Sequence, residues 1–236
     1  MSGAGGGVVL ASLNLHGGRG ADGRPFSVEA ACAGLHADVI ALQEVWRPDQ
    51  EPGPVAAAAA ALGGEAIQAT LLAGTTLAAL AIAPDRVPGR WGLAVISRLP
   101  VTGSEVISLG RVPGDPAPRA ALVVTVGLRC GGLLRVANAH LTHRFASPWQ
   151  LLRLVRRLAA SDVPTLIAGD LNMPGPVSGL AAGYAPAVGG RTFPAHRPLV
   201  QLDHLLTGRG VTGCEGRVLG PAGSDHLPIR ARVGLS

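Results

Sequence analysis

Nine short apolar runs recur along the chain: Val8–Leu13, Val39–Leu42, Leu77–Ala83, Leu93–Ile96, Ala121–Leu128, Leu133–Ala139, Thr165–Ala168, Leu202–Leu206 and Ile229–Val233. Runs of this length, many rich in β-branched residues, suit strands buried on both faces better than helices. Several of them stop on a polar residue. The clearest runs from Val163 to Ala168 and ends in Gly169-Asp170-Leu171-Asn172. A carboxylate and an amide at the mouth of a buried strand are poorly placed for packing. They are well placed for catalysis, because α/β sheets carry their chemistry on the loops at strand ends.

Helical segments are fewer. Val28–Leu35 follows an N-cap at Ser27, and alanine-rich Pro54–Leu62 stops at Gly63-Gly64. Pro148–Ala160, with Ser147 as its cap, shows one stripe of Leu151, Leu154, Val155 and Leu158. Arg153, Arg156 and Arg157 fall on the other side, which reads as a solvated face rather than an anion-binding patch. The Gly/Pro-rich stretches 110–118 and 173–190 read as loops, and no repeat or long linker divides the chain. One mixed α/β domain over residues 1–236 is expected.

Hydrophobic residues at 47% and charged residues at 15% exclude a disordered chain. The stretch Val55–Ala83 is greasy, but Gly63-Gly64, Glu65, Gln68 and Gly74 interrupt it. A helix followed by two strands fits it better than a membrane span. No basic segment followed by an apolar one opens the chain at Met1–Leu10, so no secretory signal is expected. Cys32, Cys130 and Cys214 form no CxxC pair, which argues against a zinc site or a disulfide framework and for a reducing cytoplasm. All 20 basic side chains are arginine, whose high pKa inflates the sequence pI of about 10.3. With only 3% aromatic residues, stacking platforms are scarce, so the net charge of +5 permits an anionic substrate without specifying nucleic acid.

The polar strand ends form a set. Asn14 follows the first run and Glu44 the second; His140 follows Leu133–Ala139, and Asp170 and Asn172 follow Thr165–Ala168. Asp203 lies in Gln201-Leu-Asp-His-Leu205, and Asp225-His226 in Gly223-Ser-Asp-His-Leu-Pro228. Each alone is ordinary turn chemistry. Their joint occurrence in this order is not. With their flanking residues they resemble the endonuclease/exonuclease/phosphatase superfamily, which includes exonuclease III-type nucleases, pancreatic-type deoxyribonucleases, neutral sphingomyelinases and inositol polyphosphate 5-phosphatases. The matching segments span nearly the whole chain. They are Ser12-Leu-Asn-Leu-His16, Ala37-Asp-Val-Ile-Ala-Leu-Gln-Glu-Val45, Trp91-Gly-Leu-Ala-Val-Ile-Ser-Arg98, Asn138-Ala-His-Leu141, Gly169-Asp-Leu-Asn172, Thr192-Phe-Pro-Ala195, Leu202-Asp-His-Leu205 and Ser224-Asp-His-Leu-Pro228.

The resemblance implies a four-layer α/β sandwich of two packed mixed β-sheets flanked by helices, with the site at one end. It implies a divalent-metal phosphoesterase using Mg²⁺, with Mn²⁺ as a substitute. Glu44 would be the principal metal carboxylate, with Asn14 and Asp225 completing or flanking the site. Asp170 would orient and deprotonate the attacking water, with Asn172 holding the phosphate or that water. His226, oriented by Asp203, and His140 would donate to the phosphoryl oxygens. Arg119 matches a frequent family arginine suited to a phosphate or to a structural salt bridge, and Trp46 would contact substrate or pack. The remaining histidines, His16, His36, His143, His196 and His204, carry no motif role; His143 alone stands close enough to a strand end to line the site. Leu93 stands where many members have asparagine. A phosphoester substrate is expected, either nucleic acid or a small phosphorylated molecule, acted on by a monomer. A phosphatase or phospholipase-type diesterase on a small-molecule or lipid headgroup phosphate is the alternative, and a non-catalytic binding module a further one.

Overall fold

The computed structural model describes residues 7–49, 52–129, 131–175, 177 and 179–235. Cys130 and two residues of the loop read at 173–190, Pro176 and Ser178, lie outside that set. The strands are β1 (Val8–Asn14), β2 (Val39–Pro48), β3 (Glu65–Thr75), β4 (Gly89–Ser97), β5 (Val101–Gly110), β6 (Arg119–Gly127), β7 (Leu133–His140), β8 (Thr165–Asp170), β9 (Ala185–Pro186), β10 (Asp203–Thr207), β11 (Val211–Val218) and β12 (Ile229–Leu235). The helices are α1 (Val28–Gly34), α2 (Pro54–Ala61) and α3 (Ser147–Leu158).

Two six-stranded mixed sheets result, ordered β11-β12-β1-β2-β4-β3 and β5-β6-β7-β8-β10-β9. Inward residues of both, among them Leu10, Val39, Val95, Val124, Val136 and Leu166, interlock as the central core. A second apolar layer joins the first sheet to α1 and α2, and a third joins the second sheet to α3. The architecture is therefore the four-layer sandwich expected from the sequence.

Each sheet contains one parallel pair, β1 with β2 and β7 with β8. Parallel neighbours need a crossover, here α1 and α3 respectively. The parallel pairing of β1 with β2 ends at Asn14 and Gln43, just before Glu44, and that of β7 with β8 ends at His140 and Asp170. This topology sets the site at the carboxyl ends of two central pairs.

Local details explain the elements. Ser27 accepts from the Ala30 N–H at 3.1 Å and so caps α1. Ser147 does not cap α3: it lies inside the first turn, which has no side-chain cap. Leu77–Ala83 is a turn, not the strand its composition suggested. Thr76 Oγ1 accepts from Ala79 N, Ile82 N returns to the Leu77 carbonyl, and the Leu77 side chain is buried beneath. The edge strands β5 and β11 escape a hydrophobicity reading because β5 is mostly exposed and β11 is glycine-rich with exposed polar positions.

Candidate active site

Glu44 reaches the site through an irregularity. The β2–β4 register passes from Leu42↔Ala94 to Val45↔Gly92, so Gln43 and Glu44 together oppose Leu93. This is a β-bulge, and Glu44 sits in it at φ 49°, a left-handed conformation that non-glycine residues rarely adopt. A bulge breaks ladder hydrogen bonds, and the other sheet supplies the missing partners. Asn138 on β7 donates through Nδ2 to the carbonyls of Leu42 and Ala94, both at 2.8 Å. Its Oδ1 accepts from Gln43 Nε2 at 2.7 Å, and that amide also donates to Ser12 Oγ at 3.1 Å. Ser12, Gln43 and Asn138 are fully buried. Asn138 thus ties the strand that ends in His140 to the bulge that presents Glu44. The sequence reading missed it. A detectable signal existed, an asparagine at an inward position of an apolar strand, where only a satisfied polar group is tolerated.

Asp170 arrives in unbroken register, at the end of β8. Its approach requires Gly169, at φ 142°, because a Cβ there would meet the Ala139 carbonyl oxygen at 1.9 Å. Asp170 Oδ1 accepts from the Asn172 backbone N–H at 2.9 Å, and Oδ2 from Asn14 Nδ2 at 3.1 Å. The same Asn14 Nδ2 lies 3.2 Å from Glu44 Oε1, so one amide bridges carboxylates from the two sheets. Asn14 Oδ1 accepts from the His16 N–H at 3.0 Å. Asn172 donates from its side chain to the Leu141 carbonyl at 3.0 Å.

Two histidines face this pair. His140 Nε2 stands 3.8 Å from Glu44 Oε1 and 3.7 Å from Asp170 Oδ2. His226 Nε2 stands 3.8 Å from the same Asp170 oxygen, and its Nδ1 makes a 2.8 Å hydrogen bond to Asp203 Oδ2. The His226 ring packs on Phe193 with centroids 4.7 Å apart. Burial works to lower the His226 pKa, but the Asp203 carboxylate, its hydrogen bond and the Asp170 and Asp225 charges lift it to about 10. Burial, then the charges of Arg119, His226 and His143, hold His140 well below the usual imidazole range. Burial pushes Asp170 up to about 7; His226, the Asn172 N–H and Asn14 oppose the rise, and Asp203 adds to it.

The other expected residues lie around this centre. Asp225 accepts from Ser224 Oγ at 3.2 Å and stands 3.7 Å from His16 Nδ1, so His16 neighbours the site although its motif gave no hint. Arg119 is buried, with Nε 3.4 Å from Asp115 Oδ2 and its guanidinium carbon 5.9 Å from the Trp91 ring centroid; Nη1 has no hydrogen-bond partner. Trp91 in turn lies 5.8 Å from His140, centroid to centroid. Trp46 pairs across from Trp91 and is half-buried over Gly89. Leu93 is buried in the central core, so its side chain packs rather than contacting a ligand. His204 faces away from the site, with Nε2 2.9 Å from the Met173 carbonyl.

Among the described residues no three His, Cys, Asp or Glu side chains form a ready-made ligand set for a metal. Glu44 and Asp170 nevertheless meet at one amide, and among the described residues no arginine is ion-paired to either. Such excess negative charge suits a hard cation that keeps most of its waters and takes only one or two carboxylates.

Comparison with known proteins gives the family of the chain. The Endonuclease/Exonuclease/phosphatase family profile matches residues 11–226. An endonuclease/exonuclease/phosphatase from Beutenbergia cavernae has a similar structure, with TM-score 0.77 at 22% identity over 98% of this chain and 72% of that one. The human Nocturnin catalytic domain with bound sulfate gives 0.71 at 16%, covering 98% and 95%. A mannosyl-6-phosphatase from Bacteroides thetaiotaomicron gives 0.71 at 14%, covering 97% and 100%. A search of curated proteins finds no match. Members of this family are hydrolases of phosphoester bonds and typically depend on a divalent metal. By its sequence and its fold, the chain belongs to the endonuclease/exonuclease/phosphatase family.

Proposed function

We propose that the protein is a divalent-metal phosphoesterase that hydrolyses its substrate by in-line attack of water. The observation that carries this reading is the convergence of Asn14, Glu44, His140, Asp170 and the Asp203–His226 pair at one end of the sandwich. Glu44, with Asn14 and Asp225 nearby, would hold Mg²⁺ or Mn²⁺. The bound ion would neutralise developing charge on the phosphoryl and leaving oxygens.

The chain's own residues divide the remaining work. Asp170, fixed by the Asn172 N–H and Asn14, aligns a water and takes its proton; a carboxylate whose proton affinity is raised by burial is a stronger base than an exposed one. Protonated His226, held by Asp203, presents an N–H to a phosphoryl oxygen as negative charge grows there. Neutral His140 offers Nε2 from the other side. Asn172 keeps the loop at Leu141 closed on Asp170. Arg119, with one free Nη, supports a phosphate or steadies Trp91.

A panel of phosphodiesters and phosphomonoesters, assayed with Mg²⁺ or Mn²⁺ and again with chelator, tests the proposal. Metal-dependent cleavage of at least one is expected. Cleavage of none, or cleavage indifferent to chelator, would contradict it.

A further inference from the structure

The sequence assigned the arginines of α3 to a solvated face, and the fold gives that face a context. Phe145 and Trp149 are the two most exposed large apolar side chains among the described residues, at 90% and 72%. Phe145 helps line a groove of about 400 Å³ with His143, Pro148, Asn172, Met173 and Pro174, so this exposed ring adjoins the Asn172 loop that follows Asp170. Beyond Trp149, Arg153, Arg156 and Arg157 continue along the exposed side of α3. Spacings of four and three residues keep Trp149, Arg153 and Arg156 on one face, and the eight helical steps from Trp149 to Arg157 rise about 12 Å.

The three arginines face a second hollow of about 780 Å³ between α3 and the edge strand β5, lined also by Glu105, Ser108 and Arg135. Its one acid is already engaged: Glu105 Oε1 accepts from Arg135 Nη2 at 2.6 Å, and Arg135 Nη1 donates to the Leu158 carbonyl at 3.4 Å. No acidic residue lies on α3, and among the described residues no ion pair involves Arg153, Arg156 or Arg157. Their charge is left for an external anion.

We propose that this face of α3 is a track for single-stranded nucleic acid leading to the catalytic end, with bases stacked on Phe145 and Trp149 and phosphates paired with Arg153, Arg156 and Arg157. The inference rests on the phosphoesterase reading and narrows its substrate class. Exposed rings followed in line by unpaired guanidinium groups match the two surfaces of a single strand. A duplex hides its bases from such rings. A membrane-bound amphipathic helix would turn its apolar stripe to lipid, but Leu151, Leu154 and Leu158 are spent on the second sheet.

The test is binding in chelator, where hydrolysis plays no part. Labelled oligothymidylate and oligouridylate of about 15 nucleotides are titrated at several salt concentrations, and anionic phosphatidylserine vesicles serve as the competing surface. The proteins are the wild type, an Arg153→Gln/Arg156→Gln/Arg157→Gln variant and a Phe145→Ser/Trp149→Ser variant, all changed at exposed positions. The arginine variant is expected to bind at least about tenfold more weakly, with the salt slope reduced by about 2, as for three lost phosphate contacts on a single strand. The aromatic variant is expected to bind at least about tenfold more weakly with an unchanged slope. Equal binding by all three proteins, or a loss seen only on vesicles, would overturn the track. Strand binding through this face without any phosphoester hydrolysis would leave the track standing and remove the enzymatic reading. Hydrolysis of bis(p-nitrophenyl) phosphate without strand binding would do the reverse.

Discussion

Each sheet brings one parallel strand pair to the site, yet the two pairs deliver their carboxylates in opposite ways. The β1/β2 pair presents Glu44 from a bulge, in a left-handed conformation, with its side chain 19% exposed. The β7/β8 pair presents Asp170 from a strand end in unbroken register, with its side chain only 3% exposed and hydrogen-bonded through both oxygens. Burial raises the proton affinity of Asp170. Glu44 is the more accessible to water, which suits the hydrated cation proposed there. In the proposed mechanism, two acids of nearly the same chemistry take different parts because their backbones place them at different depths.

Removing either carboxylate should give the largest effects. Asp170→Asn and Glu44→Gln are each expected to lower kcat by about 10³-fold, the usual order for a general base or for a group that stabilises transition-state charge. Steady-state assays on whichever phosphoester proves best will read this. A loss below about tenfold for Asp170→Asn would remove it as the base.

The bulge allows a sharper probe of the difference. Asn138→Ala leaves the carbonyls of Leu42 and Ala94 buried without partners, at about 1–3 kcal/mol each. It also frees Glu44 to move, so kcat should fall by about 10²-fold. Val136→Ala is the matched control, a fully buried position two residues earlier on β7. It should cost stability but little turnover. If both variants lose activity in proportion to their melting temperatures, Asn138 does not position Glu44.

A smaller effect concerns His226. Its folded-state pKa of about 10 lies above the ordinary 6.5, so the stability it contributes is complete below about pH 6.5 and is lost as pH rises through 10. In chelated protein, Asp203→Asn should lower the melting temperature more at pH 6 than at pH 10. An equal drop at both would mean that the Asp203 charge does not hold the proton on His226.

Much of this arrangement was legible in the sequence. Asn14, His140 and Asp170 terminate apolar runs, and those runs became central strands. Asp203 and His226, far apart in sequence, were paired correctly in prospect because their flanking residues resembled a family. What stayed hidden depends on contacts between sheets. Asn138 stands out as an asparagine at an inward strand position, but its partners appear only when β4 and the β2 bulge are laid over it. His16 reads as a loop histidine until Asp225 folds back beside it. Leu77–Ala83 misled because an apolar turn packed under its own backbone has the composition of a strand. The arginines of α3 lie on its exposed side, as the helical pattern indicates, but that pattern does not show which strand stands beside them.

The division of labour between the two carboxylates can be measured without a substrate, by calorimetric titration of Mn²⁺ into the wild type, Glu44→Gln and Asp170→Asn. The account predicts that Glu44→Gln binds Mn²⁺ at least about tenfold more weakly, whereas Asp170→Asn binds it within a fewfold of wild type. Equal loss of Mn²⁺ binding in both variants, or a loss confined to Asp170→Asn, would contradict it.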